Sequence, residues 1–162
     1  MNPAGAMLPL QKTNALLAVV WGGLACGVLD ITAALLVYGY FGAKPLRLLQ
    51  GIAGGVLGPR TYSGGVATAL LGLACHFVIA FSAAAVYVAA SRIMPFLVRH
   101  AVLSGALYGV AVYFFMNRIV VPLSAAAKFP FSLKMMLIGV VIHIFCVGLP
   151  IALAARRFAP VP

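Results

Sequence analysis

The stretch that decides the fold is Gly64–Ser91, GGVATALLGLACHFVIAFSAAAVYVAAS, which carries no Asp, Glu, Lys or Arg along its whole length. A bilayer core about 30 Å thick is spanned by roughly 20 apolar residues in a helix, and this run exceeds that. Three further runs of the same kind flank it. One covers about 14–41 and is broken only by Asp30, one covers about 98–123, and one covers about 131–155 and stops at Arg156 and Arg157. The expected architecture is therefore an all-α membrane protein: one transmembrane domain over 1–162, built as a four-helix bundle.

Composition agrees. Apolar residues make up 65% of the chain and charged residues 7%, against about a quarter charged in soluble domains. So few charges cannot solvate the surface of a globular domain of this size, so most of the exterior faces lipid. The net charge of +10 does not indicate nucleic acid. The eleven basic residues sit mainly beside or between apolar runs, where membrane helices meet headgroups. The charge is large because Asp30 is the only acidic residue in the chain. Cys26, Cys75 and Cys146 all fall inside apolar runs, and their odd number and expected burial argue against an extracellular disulfide framework. Cys26 follows Gly23-Leu24-Ala25 in the manner of a lipoprotein cleavage site. The apolar run continues to Phe41, however, beyond the length of a signal-peptide core, so a retained helix is expected.

Between the first two runs, about 45–57, Pro45 suits the first turn of a helix. The apolar stretch after Arg47 is too short to span and is flanked by Lys44, Arg47 and Arg60. A short interfacial or re-entrant helix is expected there, with the interfacial form favoured. Basic residues do not settle the orientation. Lys12, Arg92, Arg99, Arg156 and Arg157 lie on the side of the termini, and Lys44, Arg47, Arg60, Lys128 and Lys134 on the other. The Arg156-Arg157 stop inclines the termini towards the cytoplasm. Gly23-Leu24-Ala25-Cys26 recurs as Gly72-Leu73-Ala74-Cys75, and Val37-Tyr38 as Val86-Tyr87, which in a chain so rich in Ala, Gly and Val is expected by chance.

Small residues mark where membrane helices touch: Gly23 and Gly27; Gly65, Ala69 and Gly72; Gly105 and Gly109; Gly139. Polar residues continue these faces at four-residue spacing. Cys26 leads to Asp30, Gly72 to His76, Gly109 to Tyr113 and Asn117, and Gly139 to His143. At 1.5 Å per residue, Asp30, His76, His143 and Tyr113 all fall roughly 17–18 Å from the side bearing the loops after the first and third helices. Asn117 and Arg118 lie about a turn closer to that side. An Asp at mid-bilayer costs roughly 2.5–3.5 kcal/mol, so an interior partner is expected, and His76 and His143 are the best placed. Two readings stay open: a structural clamp between helices, or a ligand, proton or metal site built from Asp30, His76, His143, Tyr113, Asn117 and Arg118. Snorkelling towards the headgroups is the plainer role for Arg118.

Three function classes follow. The first is a membrane protein that binds or moves a small ligand or proton, with a homo-oligomer needed for transport. The second is a haem or metal protein, with His76 and His143 as axial ligands, or His76, His143, Cys146 and Asp30 around a metal. The third is a non-enzymatic accessory subunit of a larger membrane complex. Enzymatic hydrolysis is disfavoured, because one acidic residue cannot supply two-carboxylate chemistry and no nucleophile elbow is present. Finally, Leu29-Asp30-Ile31-Thr32-Ala33-Ala34, Gln50–Gly58, Met116-Asn117 with Val121-Pro122-Leu123-Ser124, and Gly148-Leu149-Pro150-Ile151-Ala152 resemble a group of bacterial four-helix inner-membrane proteins without an established activity. The resemblance implies a bacterial inner membrane and carries no residue roles.

Overall fold

The computed structural model describes residues 14–128 and 130–159. Lys12, counted above with the terminal side, lies outside them. Four helices among the described residues are long and apolar enough to cross a membrane: α1 (Ala15–Tyr40), α3 (Gly65–Ile93), α5 (Ala101–Leu123) and α6 (Leu133–Phe158). Two shorter helices intervene, α2 (Pro45–Leu57) and α4 (Phe96–Arg99), and a 3-10 segment (Gly58–Ser63) joins α2 to α3. The chain is thus a multi-pass integral membrane protein, an all-α bundle with a short helix between its first two spans.

Local sequence sets the helix ends. Asn14 caps α1 by accepting from the Leu17 N–H at 3.3 Å, and Ser132 caps α6 by accepting from Met135 at 3.4 Å, so each satisfies an otherwise orphan donor. Pro45 opens α2, and Gly58, at φ 61°, closes it in a conformation that L side chains resist.

Packing is uneven along the membrane normal. The half nearer the termini is dense, with Ala18, Ala84, Tyr87, Ile151, Ala152 and Ala155 at or below 1% exposure. Small side chains there let the backbones close up, and the Asn14 N–H donates to the Phe158 carbonyl at 2.8 Å, tying the start of α1 to the end of α6. α3 and α5 meet through two tyrosines. Tyr108 donates to the Ala83 carbonyl at 2.7 Å, and its ring stands edge-on to Tyr87 at 4.9 Å.

The glycine faces read from the sequence do mediate contact. Side chains added at Gly23 and Gly27 would strike the rings of Phe81 and Phe77. Those at Gly109 and Gly148 would strike the backbone carbonyl oxygens of His143 and Gly105 respectively. α5 and α6 therefore run backbone against backbone, the arrangement that replaces hydrophobic drive within lipid. Two details differ from expectation. Gly72 faces α2, against the Leu49 carbonyl, rather than another spanning helix. Gly65 meets open space and has φ 56°, so it serves the turn into α3 and not a contact face.

α2 is fastened across the first two turns of α3. Gln50 donates to the Gly65 carbonyl at 2.9 Å and to Thr68 at 3.2 Å, and buried Thr61 donates back to the Gln50 carbonyl at 2.8 Å. At its far end the Gly55 carbonyl accepts from Ala125 at 3.0 Å, linking α2 to the loop after α5.

Because the α5–α6 contact is between backbones, neither side can yield cheaply. Gly109→Ala should lose about 1–3 kcal/mol, whereas Gly39→Ala, with nothing near the added atom, should be neutral or slightly stabilising. Unfolding in mixed micelles measures both, and equal stability of the two variants would refute the contact.

Candidate functional site

The half of the bundle away from the termini forms an open, half-enclosed cavity of about 1000 Å³. α1 contributes Asp30, Ala34 and Tyr38, at the four-residue spacing that keeps them on one face. α5 contributes Tyr113, Asn117 and Arg118, and α6 contributes Met136, Gly139 and His143. Arg47 and Gly51 of α2 cover another side, with Tyr62 and Lys128 beside them. Asp30, Tyr113 and His143 are each ten residues from the helix end on this side, or about 15 Å. Arg47, Tyr62 and Lys128 belong to the connecting segments there. The cavity therefore reaches from mid-depth to one face of the membrane.

Two wide turns shape its wall. α5 is π-helical over Met116–Val120 and α6 over His143–Gly148. In each, a bond closes five residues back, Val121 N–H to Met116 and Leu149 N–H to Ile144. Each π segment ends two residues before a proline, Pro122 or Pro150. A proline lacks the N–H that the carbonyl four residues earlier would receive, and its ring crowds that carbonyl. Widening the turn by one residue relieves the clash. At the start of each wide turn a polar side chain bonds the carbonyl four residues back. Asn117 donates to Tyr113 at 2.9 Å, and His143 Nδ1 lies 2.9 Å from the Gly139 oxygen.

A carbonyl only accepts, so the proton of that bond sits on His143 Nδ1, and Nε2 lies outside that bond. Tyr113 holds the ring from the side, edge-on at 5.2 Å and 84°. Gly139 makes room for that tyrosine, since a side chain there would strike the Tyr113 ring.

His76 is placed differently. Its Nε2 donates to the Gly27 carbonyl of α1 at 2.9 Å, and its ring stands edge-on to Phe77. It stitches α3 to α1 and is not among the residues lining the cavity. Neither histidine bonds Asp30. Among the described residues the half-buried Asp30 carboxylate has no hydrogen bond or ion pair, so the clamp anticipated between Asp30 and the histidines is not formed. Nor do the described residues bring three His, Cys or Asp side chains together as a metal-holding group, and the proposed set of His76, His143, Cys146 and Asp30 is not assembled.

Five of the six residues singled out from the sequence therefore share one cavity: Asp30, Tyr113, Asn117, Arg118 and His143. Arg118, whose side chain is exposed, borders that cavity along with Arg47 and Lys128. Tyr38, Arg47, Tyr62 and Lys128 join them. For Tyr38 the signal existed, two turns beyond Asp30 on the same face. For the other three it did not, because their place depends on how α2 and the loop after α5 fold back. Comparison with known proteins finds no matching family model, no matching curated protein and no matching solved structure.

The roles of the two histidines are separable. His76→Phe removes a bond between helices and should cost about 1 kcal/mol of stability. His76→Gln, which keeps an N–H donor, should lose less than half of that in the same unfolding assay. Equal losses would exclude the Gly27 bond as the reason.

Proposed function

We propose that this membrane protein takes up a small ligand from one face of the bilayer into the cavity floored by Asp30, Tyr113 and His143. The single observation that carries this reading is the cavity, which sits at the upper end of the size range for small-molecule sites and ends on the chain's one acid. An ionisable residue at mid-depth is costly and is retained where it serves a site. The Asp30 carboxyl and Nε2 of His143, neither bonded among the described residues, are both available to hydrogen-bond whatever enters. The densely packed terminal half closes the far end, so uptake is one-sided. Apolar helical spans are the mode of cytoplasmic membranes, whereas outer membranes use barrels, which supports a bacterial inner-membrane location. With the termini in the cytoplasm, the cavity opens outward.

Cysteine labelling tests this. Against a background with Cys26, Cys75 and Cys146 replaced by Ala, Ala34→Cys should react with a membrane-impermeant maleimide added to intact cells. Leu36→Cys, on the exposed lipid face of α1, should stay unlabelled. Labelling of Ala34→Cys only after the cytoplasmic side is opened would reverse the orientation. No labelling from either side would overturn the cavity as an entry route.

A further inference from the structure

Charge balance says what kind of ligand the cavity takes. Arg47, Arg118 and Lys128 all line it, and the one acid in the chain, Asp30, lines it too. Three positive charges against one negative leave two positive charges around a space that reaches mid-bilayer, and the sequence holds no second carboxylate side chain to offset them. Arg118 lies about 8 Å inside the end of α5 by helical rise, and its exposed side chain borders this open space. Arg47 is oriented in advance. Its guanidinium stacks on Tyr62 at 5.3 Å from the ring centroid and gives one N–H to the Tyr62 carbonyl at 3.3 Å. Four of its five donors remain for another acceptor.

We propose that the ligand is a phosphate-class oxyanion, held by Arg47, Arg118 and Lys128, with its other polar groups directed to Asp30, Tyr113 and His143. This rests on the ligand-uptake reading above. Guanidinium groups match the geometry of phosphate oxygens and form charge-assisted bonds with them. Leu48, Phe114, Val121, Phe131, Met135 and Met136 also line the cavity. Such surfaces accommodate hydrocarbon, and the two unbranched methionines adapt to its shape. An anionic lipid headgroup brings both parts of this chemistry, and a free phosphate brings one.

Native mass spectrometry and thermal unfolding of the detergent-purified chain distinguish the sources. The probes are phosphatidylglycerol, phosphatidylcholine and inorganic phosphate, each added separately. A lipid source predicts one phosphatidylglycerol per chain, preferred at least tenfold over phosphatidylcholine. That preference should fall at least tenfold in Arg118→Gln and be unchanged in Arg99→Gln, on the opposite side of the bundle. A free-anion source predicts that phosphate raises the melting temperature of the wild type but not of Arg118→Gln. Lys128→Gln, in a loop, carries the same expectation if Arg118→Gln does not fold. Equal binding of both lipids, abolished by the cavity-filling Ala34→Phe, would overturn the anion while leaving the cavity reading intact. Anion binding that survives both Ala34→Phe and Arg118→Gln would place the anion elsewhere and overturn the proposal. Absence of binding by all three probes would also overturn it.

Discussion

The backbone contact between α5 and α6 is the constraint on which the rest of the structure depends. Within lipid, helices gain little by hiding apolar side chains from one another, so association rests on close approach. Gly105, Gly109 and Gly148 supply it, because a side chain at any of them would meet backbone of the facing helix. That seam fixes the distance between α5 and α6, and α6 also packs along α1. On the terminal side alanines let all the helices follow this close spacing. On the other side Tyr113 inserts against Gly139, π turns ahead of Pro122 and Pro150 widen both helices, and the bundle opens into a cavity.

The same features place the polar groups. A π turn shifts the register of the residues that follow, so it decides which side chains face inward. It also accompanies the side-chain bonds of Asn117 and His143 to carbonyls of their own helices. His143 is therefore held by its own backbone and by Tyr113, leaving one ring nitrogen available at the cavity. His76, at the same depth on α3, spends its donor on the Gly27 carbonyl and becomes an element of packing. Two histidines that look equivalent by depth have different roles because one faces α1 and the other faces the opening.

The sequence made the four spans and the short helix at Pro45 legible, because hydropathy and length decide them with little help from tertiary structure. It also made the depth of the polar groups legible, since helical rise converts residue number into distance. Rotation about each helix axis was less legible. Depth alone groups His76 with Asp30, yet its bond to Gly27 turns it elsewhere. The spacing of Gly72 suggests a contact between spanning helices, whereas α2 occupies that face. Arg47, Tyr62 and Lys128 reach the cavity through connections whose course no periodicity reports. Pro122 and Pro150 did carry a signal for the wide turns, because each removes a donor from the helix.

On the proposed reading, Asp30 serves a ligand and does not hold the bundle together. The stability of Asp30→Ala, measured by unfolding in mixed micelles without added ligand, tests it most directly. A carboxylate with no partner among the described residues contributes only its desolvation cost. The expected variant is at least as stable as the wild type. A loss of about 2 kcal/mol or more, the scale of a broken buried hydrogen bond to a charged group, would contradict it and return Asp30 to a structural role.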